Sequence, residues 1–266
     1  MDDRNGLAVT DLCYAYERGK PVLRGVSARF APGRITALIG ANGCGKSTLL
    51  NLLAGIFKPD SGQVLLDGRE LGTMKRPAIA RRIAVVHQSN AAPGDLTVEK
   101  LVCAGRTPHR GLLRPLDEGD EAAVRQAMAD TDTVQFAHRP ISALSGGQLQ
   151  RVWLAMALAQ QADILLLDEV TTYLDIHYQL EMLHLIAELN RKKRMTILMV
   201  LHDINQAFAY CDEVVILKDG VVMAQGEIGR VVQAPVLSQA FGVASEIITV
   251  AGRKHCLFRR QGGDYG

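Results

Sequence analysis

Residues 35–53 read ITALIGANGCGKSTLLNLL. An apolar run, Ile35-Thr36-Ala37-Leu38-Ile39, ends at Gly40, and apolar residues at helical spacing resume after Ser47. Strand, loop, then helix is the unit from which parallel α/β sheets are built. The loop, Gly40-Ala41-Asn42-Gly43-Cys44-Gly45-Lys46-Ser47-Thr48, fits the pattern G-x-x-x-x-G-K-[ST]. Glycines let the backbone curl until successive N–H groups point inward, and the following helix adds the positive end of its dipole. Phosphate is the ligand that suits such a concavity. Lys46 has the reach for the β- and γ-phosphates of a nucleotide, and the Ser47 hydroxyl can ligate Mg²⁺. Average residue frequencies produce the pattern by chance in roughly 1% of chains this long, so its placement between a strand and a helix carries the reading.

Outward from the loop, strands are predicted over 7–16, 21–30 and 34–40, broken at Gly19 and at Pro32-Gly33. SGQVLLDGREL, residues 61–71, reads as a hairpin strand with a turn at Asp67-Gly68. RRIAVVHQS is a further short strand that reaches Gln88. From about 97 to 160 the chain turns helical, most clearly over 118–132 and 147–160. Strand and helix then alternate again through ILLLDE, a helix over 178–192, TILMVLHD, a short helix over 205–210 and EVVILKDGVVMAQG. That alternation predicts a mainly parallel α/β sheet with a helical insertion. The closing RRQGGDYG is predicted to be loose.

Bulk properties narrow the class. With 266 residues, 48% of them hydrophobic, the chain can bury a substantial core. Its net charge of +2, from 30 basic and 28 acidic side chains, gives no basic face for nucleic acid. The five cysteines, Cys13, Cys44, Cys103, Cys211 and Cys256, form no C-x-x-C pair, which argues against a disulfide framework or zinc site and fits a reducing compartment. The N-terminus lacks a signal-peptide pattern, and there is no apolar run of membrane-spanning length. The expectation is a soluble cytoplasmic protein.

Two further stretches carry chemistry. Ile164-Leu165-Leu166-Leu167 runs into Asp168 and Glu169. In a parallel sheet the C-terminal ends of strands face the ligand crevice, so Asp168 is read as a Mg²⁺-shell carboxylate and Glu169 as the base that polarises an attacking water. Leu144-Ser145-Gly146-Gly147-Gln148 ends 20 residues before Asp168 and opens a helix. Alone it reads as an ordinary N-cap at Ser145. With its free amides it is also an anion site.

Taken together, the phosphate loop, LSGGQ and the DE pair resemble ABC-type ATPases, over nearly the whole chain from Leu7 to Val250. The resemblance implies a P-loop NTPase (RecA-like) core with a mainly parallel sheet, an N-terminal antiparallel β-subdomain and an inserted α-helical subdomain carrying the signature. Its implied division is a core over about 1–90 and 160–250, a helical subdomain over about 91–159, and a tail over 251–266. It also implies roles residue by residue. Tyr16 matches the aromatic that stacks on adenine. Gly40, Asn42, Gly43, Cys44, Gly45, Lys46, Ser47 and Thr48 form the phosphate loop. Gln88 matches the glutamine that reaches Mg²⁺ and the attacking water. Asp175 matches the loop at a dimer crossing, and His202 the histidine that contacts the γ-phosphate. Ser145, Gly146, Gly147 and Gln148 would serve the nucleotide of the opposite subunit in a head-to-tail homodimer. The other histidines, His87, His109, His138, His177, His184 and His255, show no ligand spacing and are read as surface or packing residues.

The cofactors implied are ATP and Mg²⁺. The stretch from Leu101 to Gln148, with LLLDEVTTYLDIHYQLEMLHLIAELN and VLHDINQA, is most similar to the ATPase subunits of bacterial ferric-siderophore importers, with haem and cobalamin importers as near relatives. A separate polytopic permease, a periplasmic or lipid-anchored binding protein and a peripheral place on the inner membrane's cytoplasmic face follow from that resemblance. The competing readings are a slowly hydrolysing, non-transport ABC switch and a small-molecule kinase. The kinase reading leaves LSGGQ and His202 unexplained. Val170 stands where relatives usually have proline, and Leu149 where they usually have arginine or another polar residue. As a β-branched residue, Val170 predicts extended backbone and an intact fold.

Overall fold

The computed structural model describes residues 6–110, 114–172 and 174–259. In chain order the strands and helices are β1 (Leu7–Glu17), β2 (Lys20–Phe30), β3 (Ile35–Ile39), α1 (Lys46–Leu53), β4 (Ser61–Leu66), β5 (Arg69–Glu70), α2 (Arg76–Ala80), β6 (Ile83–Val86), α3 (Val98–Ala104), α4 (Thr107–Arg110), α5 (Glu118–Asp130) and α6 (Gly146–Ala159). They continue as β7 (Ile164–Leu167), α7 (Ile176–Lys193), β8 (Thr196–Val200), α8 (Ile204–Tyr210), β9 (Glu213–Lys218), β10 (Val221–Glu227), α9 (Ile228–Val231), α10 (Ala234–Phe241), β11 (Ala244–Val250) and β12 (Arg253–Arg259). They form two compact units, residues 1–73 with 198–266, and residues 74–197.

In the first unit, β2, β1, β4 and β5 form an antiparallel sheet in that order. Leu7 and Val9 of β1 are buried, and so is Leu12, which simple alternation would turn outward. Asp11 resolves the conflict. Its φ of 47° and the register shift between Val9 and Leu12 mark a bulge that inserts one residue and restores the inward face. Asp67 and Gly68, at φ 51° and 76°, make the left-handed two-residue turn between β4 and β5. The parallel component is β3 against β9, from Thr36↔Glu213 to Ile39↔Ile216, with β10 antiparallel to β9. β3 and the middle of β9 are wholly buried, as a strand covered on both faces must be.

The second unit pairs β6 with β7 in parallel, from Ile83↔Ile164 to Val86↔Leu167. Its helical part packs α3, α5 and α6 against one another. Val98, Leu101 and Val102 of α3 share that core with Val124 and Met128 of α5 and Val152 and Leu154 of α6. Gly105 follows α3 where a Cβ would lie 2.1 Å from Met156 O, so the two helices approach through a glycine. A buried polar hub lies beside it. Arg106 Nε donates to Asp120 Oδ1 at 2.8 Å, and its Nη1 donates to Ala159 O at 2.7 Å and Gln161 Oε1 at 2.8 Å. β8 starts in this unit, where the Thr196 N–H donates to Asp163 O, and ends in the first, where the Leu201 N–H donates to Leu38 O.

The predicted strands and long helices form, within a few residues of their expected ends. The C-terminus departs from expectation. Residues 253–259, assigned above to a tail, form β12, which pairs in antiparallel register with β11 across a left-handed turn at Ala251-Gly252. Of the terminus expected to be loose, residues 259–266, Arg259 instead closes β12 opposite Ala244, and residues 260–266 lie outside the described part, as does Tyr173 of the Thr172–Asp175 segment. Helices α2, α9 and α10 had no strong periodic signal, being only four to eight residues long.

Candidate active site

The first unit holds the phosphate loop. A Cβ on Gly40, at φ 154°, would lie 2.2 Å from Leu217 O and 2.7 Å from Cys44 Sγ. One on Gly45, at φ 106°, would lie 2.5 Å from Leu23 Cδ2. Both positions therefore need glycine for space as well as for backbone conformation. Gly43 also has a left-handed φ, at 76°. Ala41, Asn42 and Gly43 are exposed, whereas Cys44, Gly45 and Lys46 are buried. Gly45 is the N-cap of α1 and brings no side-chain acceptor to the first-turn amides, an end that suits an anion.

Lys46 is only 5% exposed, and its ammonium donates to Gly40 O at 2.9 Å and Ala41 O at 3.1 Å. Both acceptors are neutral, so a buried cation held this way gains from an anion brought beside it. Burial pushes the Cys44 thiol up, against the opposing charge of Lys46. Ser47 follows Lys46 in the first turn of α1, and its carbonyl accepts from Asn51 Nδ2 at 2.9 Å.

Tyr16 is 60% exposed, so it is no core aromatic. Its hydroxyl is 3.1 Å from the buried Thr48 Oγ1, which ties the ring to the helix that follows the phosphate loop. Tyr14 and Phe57 stack 5.4 Å apart, and Tyr16 meets both edge-on at 5.2 and 5.8 Å. An aromatic fixed at its hydroxyl and one edge can offer a face to a base. His202 is exposed between the end of β8 and the N-cap of α8, Asp203.

The second unit holds the carboxylates. β7 is buried throughout, and the Asp168 N–H donates to Val86 O at 2.9 Å, extending the pairing one residue beyond the strand. Asp168 is itself buried. Glu169 then turns the chain, with φ 52° and its carbonyl accepting from the Thr172 N–H at 3.0 Å. Left-handed backbone is uncommon outside glycine and gathers at functional sites. Its carboxylate is held by Gln88, whose Nε2 donates to Glu169 Oε2 at 2.7 Å. That leaves the amide oxygen of Gln88 as the end that can meet a cation. Val170 is buried within the turn, so the extended backbone expected from its branching gives way to turn geometry.

The signature segment is a capping box. The Gln148 N–H donates to Ser145 Oγ at 3.3 Å, and the Ser145 N–H donates to Gln148 Oε1 at 3.0 Å. Gly146 is exposed with nothing within 4 Å of a Cβ, while Gly147 is buried with a Cβ position 3.0 Å from the Tyr178 ring. Tyr178 lies in the first turn of α7, whose N-cap, Asp175, accepts from the Tyr178 N–H at 3.0 Å through its side chain. Leu149 is half-buried, and the next cation along α6 is Arg151, paired with Glu181 at 2.7 Å. Sequence reasoning missed the Gln88–Glu169 and Gly147–Tyr178 contacts and the Arg106 hub, because each joins residues distant in the chain.

The donors proposed for a metal, the Ser47 hydroxyl, Asp168 carboxylate and Gln88 amide, are all hard oxygens, which suits Mg²⁺. Among the described residues no group of three or more His, Cys, Asp and Glu forms a metal site. Mg²⁺ in phosphate chemistry needs fewer: one or two carboxylates, completed by phosphate and water. The phosphate loop by itself suits the phosphates of a nucleotide such as ATP, and the chemistry of each proposed metal donor, taken singly, suits Mg²⁺. No helix among the described residues is long and apolar enough to cross a membrane.

Comparison with known proteins places these features. Residues 23–172 match the ABC transporter family. The petrobactin import ATP-binding protein FpuD of Bacillus anthracis is 47% identical over 217 residues, 82% of this chain and 80% of that protein. The iron(3+)-hydroxamate import ATP-binding protein FhuC of Bacillus subtilis is 41% identical over 245 residues, 92% and 91% of the two chains. The dimeric structure of MJ0796, a bacterial ABC transporter cassette, superposes with a TM-score of 0.72 at 27% identity, covering 84% of this chain and 98% of that one.

Proposed function

We propose that this chain, which belongs to the ABC transporter family, is the ATPase subunit that drives import of an iron complex of the ferric-siderophore class through a separate membrane permease. The iron-chelate reading rests on relatives whose names give petrobactin and iron(3+)-hydroxamate import. The hydrolytic reading rests above all on the Gln88–Glu169 contact, 2.7 Å between Nε2 and Oε2. That contact sets an orienting amide on the carboxylate read here as the general base.

Each residue then has a task. Lys46 and the amides of the phosphate loop neutralise the β- and γ-phosphates. Ser47, Asp168 and Gln88 hold Mg²⁺, and Tyr16 stacks on the adenine. Glu169 polarises the attacking water, with Gln88 fixing its carboxylate, and His202 contacts the γ-phosphate. Bound MgATP supplies the bond to be cleaved and the metal charge that offsets the phosphates. Two copies pair head to tail, so that Ser145–Gln148 and Asp175 of one serve the nucleotide on the other. Two helix N-termini facing one γ-phosphate attract it strongly, and hydrolysis removes the bridging group. The core spans about 1–90 and 160–250, with the helical subdomain over about 91–159. The subunit lies peripherally on the cytoplasmic face of the inner membrane, with an exported binding protein delivering the chelate to the permease and no nucleic acid involved.

The test is Mg²⁺-dependent ATP hydrolysis by the purified subunit. Lys46→Ala abolishes it, and Glu169→Gln lowers turnover by about 10²–10⁴-fold while ATP still binds. Unchanged turnover in Glu169→Gln sinks the hydrolytic reading. For transport, deletion of the gene stops uptake of labelled ferric siderophore. Normal iron uptake with lost haem or cobalamin uptake would move the cargo to those classes.

A further inference from the structure

The C-terminal hairpin is tied to the segment that carries His202. Asn205, in the first turn of α8, bonds both backbone groups of one residue in β12. The Cys256 N–H donates to Asn205 Oδ1 at 2.7 Å, and Asn205 Nδ2 donates to Cys256 O at 3.3 Å. A side-chain amide here takes the place of a neighbouring strand and satisfies a donor and an acceptor at once. The Asn205 N–H in turn donates to Asp203 Oδ1 at 2.8 Å, the cap of α8. His202 is the residue before that cap. One peptide bond, one cap and one paired amide therefore join His202 to β12.

Neither element holds a fixed position by itself. α8 has seven residues, fewer than an isolated helix needs for stability. β11 and β12 form a two-stranded sheet, which is marginal without packing. α8 packs against β12, with Ile204, Ala207 and Cys256 buried, and Phe258 of β12 also meets Phe241 of α10 edge-on at 5.6 Å. Apolar contact is non-directional, so it sets proximity more than orientation. The planar amide of Asn205, bonded at both ends, adds the orientation.

We propose that Asn205 is a positioning residue through which the C-terminal hairpin sets the orientation of the His202 loop; the proposal rests on the reading of His202 as the γ-phosphate contact. The hairpin is then a working part of the ATPase.

Full-length protein tests this in four forms: unaltered, Asn205→Ala, His202→Ala and the double variant, with kcat and KM for ATP and thermal stability measured for each. Asn205→Ala lowers kcat about five- to twentyfold with KM held within about twofold. It adds little to the loss in His202→Ala, because a residue acting through another has nothing to position once that one is gone. Asn205→Asp keeps an acceptor for the Cys256 N–H and regains part of the turnover. An unchanged kcat in Asn205→Ala, or losses that add in full, overturns the proposal and leaves His202 in its role. An unchanged kcat in His202→Ala overturns the underlying reading, and this proposal with it. Should Asn205→Ala fail to fold, Asn205→Asp and its double variant with His202→Ala are judged by the same additivity.

Discussion

Val170 directly follows the proposed base, Glu169. It occupies the second position of a turn closed by the Glu169 carbonyl and the Thr172 N–H. Proline is favoured at that position, so Val170→Pro leaves the fold intact. The cost falls on the preceding residue. Glu169 has φ 52°, and a following proline pushes its predecessor toward extended backbone. Val170→Pro therefore slows hydrolysis, by less than about tenfold or roughly 1.4 kcal/mol of barrier. Steady-state ATPase rates check this, and faster turnover in the variant would contradict it.

Within the helical part of the second unit, two features set stability. Gly105 allows α3 to approach the Met156 carbonyl of α6, and a Cβ there would lie at 2.1 Å. Gly105→Ala therefore destabilises by about 1–3 kcal/mol, read from denaturant unfolding. The Arg106–Asp120 pair is almost completely buried. The Arg106 hydrogen bond holds the Asp120 carboxyl below the usual carboxylate range, against the opposing effect of burial. Its folded-state pKa is depressed, so its contribution is complete above the ordinary aspartate pKa. That contribution fades as pH falls through the ordinary range and is gone below the folded value. Asp120→Asn removes the acid-dependent part and leaves Arg106 as a buried unpaired charge, at a cost of about 3–5 kcal/mol near neutral pH. Thermal melts of both proteins from neutral pH down to pH ~3 give the comparison, and the gap between them narrows on acidification.

For the whole molecule, the proposed head-to-tail pairing gives the remaining prediction. Glu169→Gln forms a stable dimer with ATP and Mg²⁺ and returns to monomer when ADP replaces ATP, as size-exclusion chromatography with light scattering will report. A monomer under both conditions would remove the shared-site mechanism. Much of the molecule was legible in the sequence because its signals are local. The phosphate loop is one contiguous stretch whose glycines, lysine and serine act through adjacent backbone. β3 and β7 are short apolar runs between breakers, and α5 and α6 carry helical periodicity and capping residues. Local chemistry of that kind is decided by neighbours within a few residues, so the sequence by itself determined the expected strands and long helices, the phosphate loop and the family resemblance, while β12 and the short helices α2, α9 and α10 emerged only in the structure. Tertiary structure alone decided what depends on residues far apart in the chain: the bulge at Asp11 that rescues the β1 register, the grip of Gln88 on Glu169, the Tyr178 ring under Gly147, the Arg106 hub, and the hairpin held by Asn205. None of these partners is set by spacing along the chain; each is set by where packing brings two distant backbones together.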